Sequence, residues 1–312
     1  MKRLLSSVLL TIVMVFDAQA GAGSLSTGWL TVDGVELFYR EGGRRDATTI
    51  VFLHGNPGSS MQYAQVMHSL AATGAFHVLA PDYPSFGFSE PADRAKYAYT
   101  FDNLADTVRK FLDAKDVRRY ALFMQDYGVP IGFRLISAAP DAVTALIVQN
   151  GVIHLDGFPA AQDANGELRR HWRTRNAQID RRRREYTNAL PFPKSAGWEY
   201  PSRVAPEFVL LNMTSARRPG VIEARNDLWY DYRTNLEHYS AWQAQLRQMR
   251  CPVLVLWGSH DEFFTTPGAV AYLRDAPQAQ VHLLDADHFA TLEVPDEIAR
   301  LTREFFRDAA LE

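Results

Sequence analysis

Three residues in this chain have the types and order that covalent hydrolysis needs. Asp126 lies in Gln125-Asp126-Tyr127-Gly128, directly after the apolar run RRYALFM and just before a helical pattern that begins near Val129. A strand, a sharp turn and a helix in that order hold the residue at the tip of the turn exposed above a sheet. Asp261 follows Trp257 by four residues in LWGSHDEFF, and His288 lies in DADHFATLE. The order Asp126, Asp261, His288 reads as nucleophile, orienting acid and base. A carboxylate with an unperturbed pKa of about 3.9 is ionised at neutral pH without help from a base. Taken singly, an aspartate after a strand is more often a helix cap and a loop histidine a surface residue. Their joint position at strand ends, in that order, points to chemistry.

A fourth feature stands with them. His54-Gly55-Asn56-Pro57-Gly58-Ser59-Ser60 is a turn rich in small residues, between the apolar run TIVFL and a helical pattern. Such a turn presents backbone N–H groups near a helix N-terminus, the geometry of an oxyanion hole. No Gly-x-Ser-x-Gly occurs, which argues against a serine esterase or lipase. At the elbow, Gly128 allows strand and helix to approach, but Met124 stands where a small residue is usual.

The elements that must position these residues follow from hydrophobic pattern. Gly28 to Val32 and Val35 to Arg40 form a predicted hairpin turned at Asp33-Gly34. Continuous apolar runs at Thr49–Leu53, Phe76–Ala80, Arg119–Met124, Thr144–Val148, Pro252–Trp257 and Gln280–Leu284 predict parallel strands buried on both faces. Helical patterns fall at Met61–Ala72, Phe101–Ala114, Val129–Ala138, Ala269–Arg274 and Pro295–Phe306. Alternation of this kind predicts an α/β fold, a doubly wound, mostly parallel sheet with ligands at the carboxyl ends of its strands. From 151 to 249 the strand rhythm stops, and helical stretches rich in proline and tryptophan replace it. That segment is expected to be an inserted helical cap over a core of 27–150 and 250–312. The arginines between Glu167 and Glu185, including the run Arg181 to Arg184, read as a solvated face of a cap helix.

Composition narrows the partners. The 312 residues carry 33 basic and 36 acidic side chains for a net charge of -3, with 47% hydrophobic residues. Without a basic excess nucleic acid is not the expected partner, and a small hydrophobic organic molecule fits better. Lys2 and Arg3, the apolar stretch Leu4–Phe16 and Ala18-Gln19-Ala20 read as a cleavable signal peptide over residues 1–20. The expected location is therefore periplasmic or secreted, with no stable membrane span after cleavage. The single cysteine, Cys251, forms no internal disulfide and reads as a buried thiol.

With these motifs in place, the chain resembles the α/β-hydrolase superfamily, and within it the group of epoxide hydrolases and haloalkane dehalogenases. HGNPGSS, PDYPSFGFSEP, QDYG, LWGSHDEFF and DHFATLE carry the resemblance, which extends from about Val35 to Phe306. It implies the α/β-hydrolase fold and an alkyl ester formed on Asp126. His288 then activates water, Asp261 supports the imidazolium, and the backbone N–H groups of Asn56 and Tyr127 hold the oxyanion. The chemistry calls for no cofactor and no metal.

The leaving group divides the group's members. Tyr232-Arg233-Thr234-Asn235 resembles the stretch that carries a ring-opening tyrosine in epoxide hydrolases, with Tyr186 or Tyr200 as a second. Asn56 after His54-Gly55 resembles the halide-binding asparagine of one dehalogenase branch, although Tyr127 stands where those enzymes carry tryptophan. His54, Asn56, Tyr127 and Tyr232 are thus the residues expected around substrate or leaving group. Epoxide opening is the preferred reading, with haloalkane or haloacid dehalogenation and non-catalytic ligand binding as alternatives. Asn150 and Gly151, after the sixth strand, offer no carboxylate, which leaves Asp261 as the acid.

Overall fold

The computed structural model describes residues 24–159, 172–189 and 203–311. The signal-like segment, Arg169, Arg170, Tyr200 and the side chain of Tyr186 lie outside the described residues.

Eight strands form one sheet: β1 (Leu25–Val32), β2 (Val35–Gly43), β3 (Thr48–Leu53), β4 (Phe76–Pro81), β5 (Tyr120–Gln125), β6 (Val143–Gln149), β7 (Val253–Gly258) and β8 (Gln280–Leu284). Their spatial order is β1-β2-β4-β3-β5-β6-β7-β8. β2 runs antiparallel to β1 and β4, and the pairs from β4 onward are parallel. The Asp33-Gly34 turn closes the hairpin with both residues at positive φ, 49° and 80°, the backbone that matches strand twist. β4, β5 and β7 are buried along their whole length. β8 departs from the expectation of a strand buried on both faces. It is an edge strand, with Leu283 exposed, because no strand pairs beyond it.

Helices cover both faces. α1 (Ala64–Ala71) and the C-terminal helix Pro295–Asp308 pack on one side; α2 (Phe101–Ala114) and α3 (Gly128–Ala138) pack on the other. Side chains alternate along β3 accordingly: Ile50 and Phe52 join the first cluster, Val51 and Leu53 the second. Removing a fully buried ring such as Phe52 costs about 3–5 kcal/mol in cores of this kind.

Between β6 and β7 the described chain is helical: α4 (Ala177–Ala189), α5 (Pro206–Ala216) and the long α6 (Val221–Gln248). Polar contacts fasten α6 to the sheet-bearing part. Asp231 accepts a hydrogen bond from the backbone of Phe101 at 2.8 Å, and Arg134 donates to Asn235 at 2.8 Å and to Asp102 at 2.5 Å. After β7 come α7 (Pro267–Ala271), α8 (Ala290–Glu293) and α9 (Pro295–Asp308). Cys251 is half-buried rather than buried, and its surroundings push the thiol up to about 11, which keeps it protonated. Among the described residues no helix is long and apolar enough to cross a membrane.

Candidate active site

The elbow is built as its residue types require. Asp126 ends β5 with φ 49°, a left-handed backbone that few residues other than glycine adopt. Its amide is held by the Asn150 carbonyl at 3.2 Å. A Cβ at Gly128 would lie 2.0 Å from the Leu53 carbonyl oxygen, so glycine is what lets α3 start against β3. The bulk of Met124 is absorbed one turn further on: a Cβ at Gly132 would stand 2.1 Å from its sulfur, so the small residue sits on the helix instead of the strand.

The Asp126 carboxylate is nearly buried and has two different oxygens. Oδ1 accepts the Asn56 N–H at 2.7 Å, and the Tyr127 N–H also binds the carboxylate. Gly55 permits the contact, since a Cβ there would come within 2.4 Å of the Asp126 Cβ. Oδ2 lies 3.9 Å from His288 Nε2. On the other side of the ring, Nδ1 meets Asp261 Oδ2 at 2.8 Å. The three residues expected to act together therefore meet, although their elements are far apart in sequence.

Asp261 is fixed by four bonds. Oδ1 accepts the N–H groups of Phe263 and Phe264 at 2.7 and 3.1 Å, so this aspartate does cap a turn as well as face the histidine. Oδ2 accepts from His288 and from the Asn150 amide at 2.7 Å. Asn150 also accepts the Gly258 N–H at 2.7 Å. Sequence reasoning noticed Asn150 only as a missing carboxylate; its place after β6, beside β7, was the signal that it would meet the acid.

Burial opposes a charge on His288, but Asp261, Asp126 and Asp287 outweigh it and hold the imidazole up at about 9. Burial likewise raises Asp126 above the ordinary carboxylate range, against the pull of His288 and the two backbone N–H groups. Asp126 and the imidazole beside it act on each other, and each favours the charged form of its neighbour. Gln125 touches His288 Nε2 through its amide at 2.8 Å and is itself contacted by Gln62 at 3.2 Å. The amide nitrogen donates to a neutral ring, and turned over, its oxygen accepts from an imidazolium. Gln62 Oε1, buried without a partner, is ready for the turned arrangement.

The residues expected around substrate divide. Tyr232 is buried, stacked on Trp172 at 4.4 Å between centroids and 5.9 Å from the Tyr127 ring. Burial raises its phenol well above 10, with Tyr239 and Asp126 adding to the effect. Tyr239, two turns along α6, is the residue that sequence reading missed; the spacing of seven, which puts both phenols on one helix face, was the available signal. Asn56 serves through its backbone N–H. His54 does not face substrate. Its Nδ1 donates to the Gly55 carbonyl at 2.9 Å and its Nε2 accepts the Tyr83 N–H at 3.2 Å, a fully buried tautomer that shapes the loop. The arginine run also divides: Arg181, Arg182 and Arg184 are exposed as expected, whereas Arg183 turns inward over Trp229 at 5.1 Å. A cavity of about 670 Å³ at the seam of core and cap, lined by His154, Arg173, Arg274 and Asp275 among others, shares Tyr239 with this site but none of the three catalytic candidates.

Comparison with known proteins agrees with the fold. The profile of the α/β hydrolase fold family matches residues 48–295. An uncharacterised hydrolase of Saccharomyces cerevisiae is 33% identical over 267 residues, 83% of this chain and 89% of that one. A haloalkane dehalogenase of Psychrobacter cryohalolentis is 32% identical over 48% of this chain and 49% of its own. Among solved structures, the epoxide hydrolase CorEH superposes with a TM-score of 0.74 at 20% identity, covering 91% of this chain and 99% of that one. The chain is therefore a hydrolytic enzyme of the α/β-hydrolase family, with haloalkane dehalogenases and epoxide hydrolases among its neighbours.

Proposed function

We propose that the protein hydrolyses epoxides to diols through an alkyl ester on Asp126. The observation that carries this reading is that two buried phenols on one face of α6, Tyr232 and Tyr239, stand beside the elbow, the Tyr232 ring 5.9 Å from that of Tyr127, the residue after Asp126. Oδ1 is occupied by the Asn56 N–H, so Oδ2 attacks the epoxide carbon. The carbon–oxygen bond of the ring breaks, and the departing oxygen takes the proton of Tyr232, steadied by Tyr239. Esterification cancels the negative charge of Asp126, one of those that keep His288 protonated. The imidazole becomes a base only once there is an ester to hydrolyse.

Water then gives a proton to His288 Nε2 and adds to the Asp126 acyl carbon. The charge develops on Oδ1, where the Asn56 N–H already points, and the Tyr127 N–H also binds the carboxylate. Collapse breaks the acyl carbon–Oδ2 bond, and the departing alkoxide takes the proton held by His288 and leaves as the diol with the original Asp126 oxygen; the proton left on the regenerated Asp126 carboxyl group returns to the Tyr232 phenolate. A single turnover in ¹⁸O-water tests the route: label enters Asp126 and not the first diol, whereas label in the first diol means direct attack by water. His288→Gln should stop after the first step and accumulate enzyme plus substrate, read by intact mass; normal turnover by this variant removes it as the base.

Halide release is the second reading, favoured by Asn56 and by the dehalogenase relative. A bromoalkane panel beside the epoxides separates the two by free bromide against diol. Export is proposed from residues 1–20 and is checked by the N-terminus of the mature protein.

A further inference from the structure

Arg225, a partly buried residue of α6, holds its guanidinium over the ring of Phe86 at 5.0 Å. Phe86 packs 5.4 Å from the ring of His54, two residues before the Asn56 N–H that binds Asp126. Nε and Nη2 of Arg225 are buried and hydrogen-bond to nothing. Among the described residues the charged groups that act on it are Arg218, of like sign, and the Tyr127 phenol, with no carboxylate among them. Burial lowers its pKa to about 10, which still leaves it charged at neutral pH. Arg218 is held by the carbonyls of Ser89 and Gly87 at 2.8 and 3.2 Å, so its own donors are spent. A second cation reaches the same region, since Arg183 from α4 also acts on Tyr127.

Arginine is seldom buried without an anion, because removing its charge from water is costly unless a partner and hydrogen bonds replace the solvent. The face of Phe86 meets the cation, but the in-plane N–H donors remain unused. Two donors fixed in one plane match the two oxygens of a carboxylate.

We propose that Arg225 is the anion-binding end of the substrate pocket, and that the substrate carries a carboxylate at the end remote from the carbon that Asp126 attacks. Arg183 supplies additional positive charge. The position relative to the reacting carbon rests on the Asp126 reading; the binding of a carboxylate does not. This sharpens the sequence expectation of a plain hydrophobic substrate into an amphiphilic one.

Two measurements test it. Calorimetry with hexanoate on Asp126→Asn reads the subsite without turnover. Adding Arg225→Met should weaken hexanoate about tenfold or more, as loss of charge-assisted hydrogen bonds does. Hexanoate binding that is unchanged by Arg225→Met, or matched by chloride, overturns the proposal. Second, the kcat/KM ratio of ω-epoxyalkanoates to terminal epoxyalkanes of equal length should exceed one in the wild type and fall about tenfold or more in Arg225→Met. Arg225→Lys guards against a folding defect: keeping the charge without the fork, it should retain part of the preference. A ratio that Arg225→Met leaves unchanged overturns the proposal. Hexanoate binding that depends on Arg225, with neither epoxide class turned over, rejects the epoxide reading and upholds the subsite.

Discussion

The acid and base at the strand ends and some polar groups of the helices between β6 and β7 are held in opposite ways. At the strand ends the acid and base are saturated: Asp261 receives four hydrogen bonds, and His288 is contacted at both ring nitrogens. In the cap, Arg225 Nε and Nη2 and Trp229 Nε1 are buried and hydrogen-bond to nothing among the described residues. Satisfied groups hold one geometry, which a reaction repeated on every substrate needs. Unsatisfied groups in a closed interior are expensive unless something arrives to use them.

Breaking the sheet side should do the most damage. Asp126→Asn is expected to lower diol formation by at least about 10⁴-fold, as loss of a nucleophile does; activity within tenfold of wild type would move the reaction elsewhere. Tyr232→Phe tests the cap side and should slow epoxide opening by about 10²-fold. Hydrolysis of a preformed ester should be little changed by it, and equal slowing of both steps in single-turnover assays would make Tyr232 a packing residue.

The pH profile sharpens the comparison. His288 must be neutral to accept a proton from water, and its pKa of about 9 in the free enzyme falls once Asp126 loses its charge. Ester hydrolysis should therefore rise about tenfold per pH unit below that lowered value and level off before pH 9. A rate that falls as pH rises through this range would mean that the imidazolium, not the imidazole, is required. The smallest effect is expected from Asn150→Leu, which removes one of the two donors to Asp261 Oδ2. It should cost about 1–3 kcal/mol of stability by denaturant unfolding and slow ester hydrolysis more than ester formation.

Most of the sheet was legible in the sequence, because a strand buried on both faces must be apolar throughout, and that run is visible without neighbours. β8 misled for the same reason: Gln280–Leu284 reads as an interior strand, and only its place at the edge leaves Leu283 exposed. The meeting of Asp126, Asp261 and His288 was readable because each follows an apolar run, and parallel strands put all such ends on one side. His54 was misjudged, since nothing in its neighbours reveals that both ring nitrogens are used by backbone.

What the sequence determined by itself is therefore the α/β alternation and the types and order of the reacting groups, both written in local pattern. Tertiary structure decided which way the cap's side chains turn. Arg183 faces inward among exposed arginines, Tyr239 joins Tyr232, and Arg225 buries Nε and Nη2 without a hydrogen-bond partner among the described residues. It also decided the electrostatic surroundings of Asp126, since burial and a neighbouring imidazole act on it only after residues from distant elements have come together. Facing and electric field belong to the packed molecule, because both depend on distances that periodicity along a chain does not contain.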